Sequence, residues 1–380
     1  MIIYITFSEY ASGIFSGQVV DTCKELSLLS KQEIKIISFI HLKNFFNERK
    51  KLKNTSRNII VLPSFPMMKN FRVNCFLLAI FFVFMKPSVV ICRNAIPCKL
   101  GLILRKLNLV KKVVFDGRAA EYEQFVEYKL SNDKRFIEDI LEIEKQAVLY
   151  SDFRIAVSEE LVKYWNYKFE YNKNDYVVIP CTLNSKHLNA AVDNPEMLRG
   201  RLGFKSDDII LVYSGSVSQW QSFSELIYFF EEQIKNNDLV KVLFLCKETQ
   251  DITLLSKKYS NRVKQMWCDE KDVFNYLSIA DYGVLLRDET TTNFVASPVK
   301  FAEYLNAGLN VIISSKVGDF SNFVDIEKCG FVYQKQYIQL DSLTVENRIN
   351  NRCLVEKYFN KKGALIQEKY KIILKNIALC

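Results

Sequence analysis

The stretch Asn293-Phe-Val-Ala-Ser297-Pro298-Val-Lys300-Phe-Ala-Glu303-Tyr-Leu-Asn-Ala-Gly308-Leu-Asn310-Val-Ile-Ile-Ser314 reads as a helix delivered into a buried strand. Ser297 is a good N-cap, Pro298 suits the first helical position and Gly308 suits the C-cap, predicting a helix over Val299–Ala307. The run Asn310–Ser314 is apolar and β-branched, as a strand covered on both faces should be. Working outward, Tyr282–Leu286 is another such strand. Before it come strands Ile209–Tyr213 and Val240–Cys246 and helices Ser222–Ile234 and Val273–Ile279. The same alternation fills the N-terminal half, with strands at Ile2–Phe7, Ile34–Phe39, Ile59–Leu62, Val89–Cys92, Lys112–Asp116, Phe153–Val157 and Tyr176–Pro180. Amphipathic stretches Gln18–Leu29, Leu100–Leu107 and Asp133–Tyr150 lie between them. This is the βαβ pattern of parallel sheets with helices on both faces.

At 380 residues the chain has room for two domains. The pattern loosens around Cys181–Pro195, which places one Rossmann-like domain at 1–185 and a second at 186–352, facing each other across a cleft. Residues 353–380 are expected to form a C-terminal helix that crosses back to the N-terminal domain, with Leu365, Ile366, Tyr370, Ile373 and Leu374 at helical spacing.

Net charge is +9, and all of the surplus lies in one half: residues 1–190 carry 28 basic and 19 acidic side chains, the remainder 24 of each. From Arg49 to Phe115 there is no Asp or Glu at all. A basic half joined to a neutral one suggests that one domain meets something large and anionic, a membrane surface or a nucleic acid. The longest apolar run, Cys75–Met85, is too short to span a bilayer. It is either a crossover helix buried against a sheet or a helix lying partly in the membrane interface. Its all-round apolar character favours burial. Ten cysteines without regular spacing, and a strand-like start without a secretory pattern, fit a reduced, cytoplasmic protein.

Three segments sit just past the ends of strands, where an α/β sheet presents its ligands. Tyr213-Ser-Gly215-Ser216 could bring backbone N–H groups close to a phosphate, or be only a tight turn. In the opening stretch Lys300 and Glu303 share a helix face, and Glu303 lies about 7 Å further along the axis from the helix start. That spacing suits phosphates near the N-terminus and a carboxylate on the ribose hydroxyls, or simply a capped surface helix. In Phe115-Asp116-Gly-Arg118-Ala-Ala-Glu121, Asp116 could act as a base or orient a sugar, or it could pair with Arg118 and hold the loop. Only His41 and His187 are present, so a histidine metal site or serine triad has little to build on. There is no Asp-x-Asp and no Walker A motif. The aromatics Tyr213, Trp220 and Trp267 could stack on a base or sugar, with core packing the default expectation for each.

From Tyr213 to Ser314 the sequence resembles the GT-B glycosyltransferases, specifically glycosyltransferase family 4 and related bacterial surface-polysaccharide enzymes. Those carry Ser-Pro-x-Lys-x-x-Glu-Tyr-x-x-x-Gly before a Val-Ile strand, as Ser297–Gly308 precedes Asn310–Ser314. The likeness extends to the glycine-containing loop Tyr10–Gln18, to Asp116-Gly-Arg118, to Ile155–Ser158 and to Val178–Leu183. The resemblance implies a donor site of Gly13, Gly17, Gly215, Ser216, Asn293, Ser297, Lys300 and Glu303, with Glu303 on the ribose and Ser297 and Lys300 by the diphosphate or sugar. Two features depart from it. Val295 stands where the first glutamate of a Glu-x7-Glu pair is usual. The cations that usually follow the phosphate-loop glycine are absent, with Ser216 and Trp220 or Gln221 in that region. Lys247 and Arg287, each just past a strand, are nominated in their place.

The expected activity is transfer of a sugar from a UDP- or GDP-linked donor, the only cofactor-like molecule required, to a lipid-linked bacterial glycan such as capsule or O-antigen. Retention of configuration without a metal is implied by the resemblance. Asp116, Lys247 and Glu303 are the catalytic candidates, and Arg93, Arg118 and Glu121 the acceptor-side ones. The basic N-terminal half would meet the anionic inner face of the cytoplasmic membrane, and no nucleic acid is involved. The alternative is a degenerate GT-B protein that binds a glycan or nucleotide without turnover.

Overall fold

A computed structural model describes residues 1–65, 68–184, 186, 188, 194–217 and 222–378. His187, Trp220 and Gln221 lie outside them. The chain divides into two compact units, one of Met1–Ser185, Val295–Ser297 and Lys361–Cys380, the other of Lys186–Phe294 and Pro298–Asn360.

The first unit is built on seven parallel strands: β1 (Ile2–Phe7), β2 (Ile34–His41), β3 (Ile59–Ser64), β4 (Val89–Arg93), β5 (Lys112–Gly117), β6 (Phe153–Ala156) and β7 (Tyr176–Val178). Their order is β3-β2-β1-β4-β5-β6-β7. β1, β4 and β5 are buried along almost their whole length, so both sheet faces need helices. One face carries the Ala95–Lys106 and Lys134–Tyr150 helices, packed through Leu100, Leu104, Ile140 and Ala147. The other carries the Asp21–Ser30 helix and the Ala364–Ile377 helix, through Leu26, Ile366, Tyr370 and Ile373. The C-terminal helix thus belongs to the N-terminal unit, packing on the Asp21–Ser30 helix, β6 and β7.

The second unit has six parallel strands: β8 (Ile209–Ser214), β9 (Val240–Leu245), β10 (Val263–Met266), β11 (Tyr282–Leu285), β12 (Asn310–Ser314) and β13 (Gly330–Tyr333). Their order is β10-β9-β8-β11-β12-β13. Its two edge strands are missing from the sequence reading. Val263-Lys-Gln-Met266 and Gly330-Phe-Val-Tyr333 are only partly buried, so neither shows the continuous apolar run of an inner strand.

Five further expectations need correction. The Cys353–Leu379 segment is not one helix: Val345–Tyr358 and Ala364–Ile377 are separated by a turn that buries Phe359 against Phe301, Phe320 and Phe323. The helix of the opening stretch runs Val299–Asn306 with Pro298 at the cap position. Ser297 does not cap it, because its hydroxyl accepts the Cys181 N–H at 2.9 Å. The Tyr10–Gln18 segment is helical from Gly13, with Ser12 as its cap. Finally, the helix Asn74–Met85 is buried on one face only, and the side bearing Phe76 and Phe84 is exposed. Trp267, expected in the core, is also exposed.

Gly283 in β11 shows how tightly the second unit is packed. A Cβ there would overlap the Tyr304 ring, which is itself fully buried. Gly283→Ala should therefore lower stability by about 1–3 kcal/mol. Gly200→Ala, in the Pro195–Arg201 helix with open space around the added methyl, should raise it by about 0.5–1 kcal/mol. Urea unfolding of both variants checks the pair.

Candidate functional site

Strand order fixes where each unit can bind a ligand. In the second unit the chain steps from β8 outward to β9 and β10, then returns to β11 on the other side of β8. The helices flanking such a reversal lie on opposite faces, leaving a crevice past the strand ends. Past β8, Gly215 takes φ 133°, a conformation that disfavours any side chain. A Cβ at Gly215 would also overlap the end of the Lys300 side chain. Glycine is thus required both by the turn and by the lysine lying over it.

Lys300 comes from the first turn of the Val299–Asn306 helix. Its Nζ sits 4.6 Å from the Tyr213 ring centroid and 3.5 Å from the Tyr213 hydroxyl. Tyr213 in turn donates to the Ser216 carbonyl at 2.6 Å, tying the turn to its own strand. One residue on, the Ser214 N–H donates to the Tyr304 hydroxyl at 3.1 Å. The helix and the glycine turn therefore hold each other at two points.

Past β11, Arg287 is buried. Its backbone N–H donates to Ser314 Oγ at 2.8 Å, and its guanidinium donates to Asn293 Oδ1 at 3.1 Å. Asn293 Nδ2 donates to the Asp288 carbonyl at 3.0 Å, fixing the amide's orientation. Burial and the neighbouring Arg287 guanidinium push the Lys300 ammonium down to about 7, while Glu303 and Cys246 oppose them. Lys300, Arg287, Glu303, Tyr213 and Gly215 thus form one electrostatic neighbourhood. Two cations that repel each other beside a glycine turn are suited to an incoming anion, which relieves the repulsion and favours the charged lysine. Lys247 lies exposed past β9, one strand away.

In the first unit the reversal falls between β1 and β4. Glu9, just past β1, accepts from Arg93 Nε at the end of β4 at 2.7 Å. β4 and β5 pair with Arg93 opposite Asp116, and Arg93 Nη1 lies 3.7 Å from the Asp116 carboxylate. Arg118 Nη1 lies 3.4 Å from the other oxygen, and the Tyr4 hydroxyl donates to the same carboxylate. Arg118 also reaches Gln18 Oε1 at 3.1 Å and Cys181 Sγ at 3.0 Å. Asp116 is 3% exposed, and the cavity beside it is about 20 Å³, room for about one water. The pairing of Asp116 with Arg118, one of the roles open from sequence, is present. Burial lowers the Arg93 pKa, but the attraction of Glu9, Tyr4 and Asp116 outweighs it and holds the group above its ordinary value.

Glu121 does something the sequence did not suggest: it caps a neighbouring helix, accepting the Ala95 N–H at the start of Ala95–Lys106. Glu144 repeats the device, accepting the N–H groups of Glu121 at 3.2 Å and Tyr122 at 2.8 Å. Gly17 is buried, and a Cβ there would meet the Asn184 side chain at 3.3 Å, while Gly13 opens the short helix after Ser12. Glu9, Tyr4 and Tyr304 are absent from the sequence-derived candidates. The position of Glu9, just past the first strand, was the available signal.

No family model matches the chain, and no curated protein is significantly similar to it. Solved structures are. HepE from Anabaena in complex with UDP superimposes with a TM-score of 0.72 at 12% identity, over 99% of this chain and 100% of that one. Sucrose-phosphate synthase from Thermosynechococcus elongatus gives 0.69 at 13%, over 99% of both chains. WaaG, a glycosyltransferase involved in lipopolysaccharide biosynthesis, gives 0.60 at 10%, over 98% and 94%. At these identities the likeness is one of fold: the chain has the two-sheet α/β fold of the GT-B glycosyltransferases.

The capping carboxyls give a pH-dependent prediction. Burial pushes the Glu121 carboxyl up to about 7, with the Ala95 N–H opposing and Glu9 adding to the rise. Glu144 beside it is also raised, by burial first and then by Glu121. A carboxyl raised on folding favours the folded state fully below its unfolded pKa of about 4.5, and loses that contribution as pH climbs through 7. Glu121→Gln stays neutral and can still accept the Ala95 N–H. Its melting temperature should gain on wild type by several degrees between pH 5 and pH 8. A difference that stays flat across that range contradicts the assignment.

Proposed function

We propose that this protein is a glycosyltransferase that moves a sugar from a nucleoside diphosphate to a lipid-linked glycan acceptor. The observation that carries the reading is the Lys300–Arg287–Glu303 neighbourhood around the Gly215 turn, at the strand reversal of the second sheet. HepE, which shares the fold, is described in complex with UDP and with UDP-glucose, which supports a uridine nucleotide as the first donor to test.

In this reading Glu303 accepts the ribose hydroxyls, Lys300 and Arg287 meet the diphosphate, and Lys247 is a further cation for it. Asn293 acts through Arg287, whose guanidinium it orients. The acceptor oxygen bonds to the anomeric carbon as the bond from that carbon to the diphosphate oxygen breaks. The departing diphosphate takes the acceptor's proton, and configuration is retained. The enzyme's contribution is positioning, together with stabilisation of charge building on the diphosphate. The first unit takes the acceptor side. Asp116, with both oxygens engaged, then serves to hold Arg93 and Arg118 in place.

One observation favours binding without turnover. Val295, at the position where the resembling enzymes carry the first glutamate of the pair, is buried in the apolar core of the first unit, and its carbonyl accepts the Ser158 hydroxyl at 2.7 Å.

Incubation with UDP- and GDP-sugars and a lipid-linked acceptor separates the two. Transfer by wild type that falls about ten- to a hundred-fold in kcat/KM in Glu303→Ala supports the proposal. Undiminished transfer in that variant sinks the donor site, and tight nucleotide binding with no transfer supports the non-catalytic reading. A second prediction follows from Lys300. A diphosphate favours its charged form, so UDP affinity should fall as pH rises from 6 to 9. Calorimetry on Lys300→Met should show weaker binding with that pH dependence largely removed.

A further inference from the structure

The helix Asn74–Met85, Asn-Cys-Phe-Leu-Leu-Ala-Ile-Phe-Phe-Val-Phe-Met, is apolar on the side it buries and on the side it does not. Cys75, Leu78 and Phe82 enter the core of the first unit. Phe76, Ile80, Val83 and Phe84 form a second stripe at the spacing of one helix face, and all four are exposed, Phe76 by 71% and Phe84 by 81%. Val73 extends the stripe by one turn. The helix cannot roll to hide it. Its first residue, Asn74, is fully buried, accepting the Phe65 N–H at 2.9 Å and donating to the carbonyls of Phe65 and Phe71 at 3.0 and 3.1 Å.

Cations frame this face. Arg72 precedes the helix and Lys86 ends it, both exposed. The adjacent helix Ala95–Lys106 brings Lys99 and Lys106. Lys99 is held below its ordinary pKa by burial and by repulsion from Arg72 and Lys106, so these charges are neighbours. Asp139 and Glu142 on Lys134–Tyr150 are the acids nearby, Asp139 at 3.9 Å from Arg72. The helix itself falls within the acid-free stretch Arg49–Phe115.

We infer that this face docks on an anionic lipid surface, with Phe76, Ile80, Val83 and Phe84 entering the boundary between headgroups and acyl chains while Arg72 and Lys86 meet lipid phosphates. A second protein copy fits less well. The face is about 18 Å long and about 10 Å wide, far below the roughly 800 Å² each partner gives to a stable interface. A two-fold pairing of the helix would also set Arg72 and Lys86 against the same cations of the other copy. The wide apolar stripe with basic flanks is what an interfacial helix needs. The inference rests on the lipid-linked-acceptor reading only for what docking accomplishes, since the contact itself is independent of any transfer.

Vesicle flotation tests it, with vesicles of about 30% phosphatidylglycerol in phosphatidylcholine, and of phosphatidylcholine alone, at low and high salt. Wild type should float with the anionic vesicles. Phe76→Ser/Phe84→Ser should bind at least about ten-fold more weakly at both salt concentrations, because the lost apolar burial is not screened. Arg72→Gln/Lys86→Gln should bind more weakly at low salt and converge with wild type at high salt. All four positions are exposed, so melting temperatures should match wild type and certify folding. Equal flotation by the phenylalanine variant overturns the inference. So does wild type that ignores vesicles, whether it sediments as a monomer or as a dimer that the phenylalanine variant dissolves. The UDP-induced rise in melting temperature should be the same in every variant, so failure of the donor site registers separately.

Discussion

A parallel strand cannot be joined to its neighbour by a hairpin, so each return crosses a face of the sheet, most often as a helix. All thirteen strands described obey that constraint, in two sheets whose orders each reverse once. The reversal is where helices part to opposite faces and leave the strand ends uncovered. The chemistry-bearing residues of both units gather there, Glu9, Arg93 and Asp116 in the first and Gly215, Arg287 and Lys300 in the second. The positions of these groups follow from topology before any side chain is considered.

The two crevices are finished differently. In the first, two guanidiniums and two carboxylates balance, with Tyr4 closing the Asp116 side and space for little more than one water. Breaking such a cluster by removing one member would strand a buried charge, which is the costly direction. In the second, Lys300 lies over an aromatic ring and a glycine, depressed by a neighbouring arginine. One crevice satisfies its own charges, and the other holds a lysine whose charge a bound anion would favour.

The inner strands were legible because burial on both faces demands continuous Val and Ile, and Ile2–Phe7 and Asn310–Ser314 end where the pattern ends. The edge strands at Val263 and Gly330 escaped because half-exposed positions tolerate lysine, glutamine and glycine. Lys300 and Glu303 could be grouped from helical spacing alone. Ser297 could not be read correctly, because its hydroxyl serves Cys181, 116 residues earlier, in place of the helix beside it. The Asn74–Met85 helix misled for a related reason: composition reports how apolar a segment is, and only packing reports what is left to cover it.

The proposed seat of a nucleoside diphosphate at the strand reversal of the second sheet can be read by amide hydrogen exchange with and without UDP. Exchange should slow in Tyr213–Ser216 and in the Val299–Glu303 turn. Protection in the β13 and Val345–Tyr358 region, or no protection anywhere at saturating UDP, would contradict it.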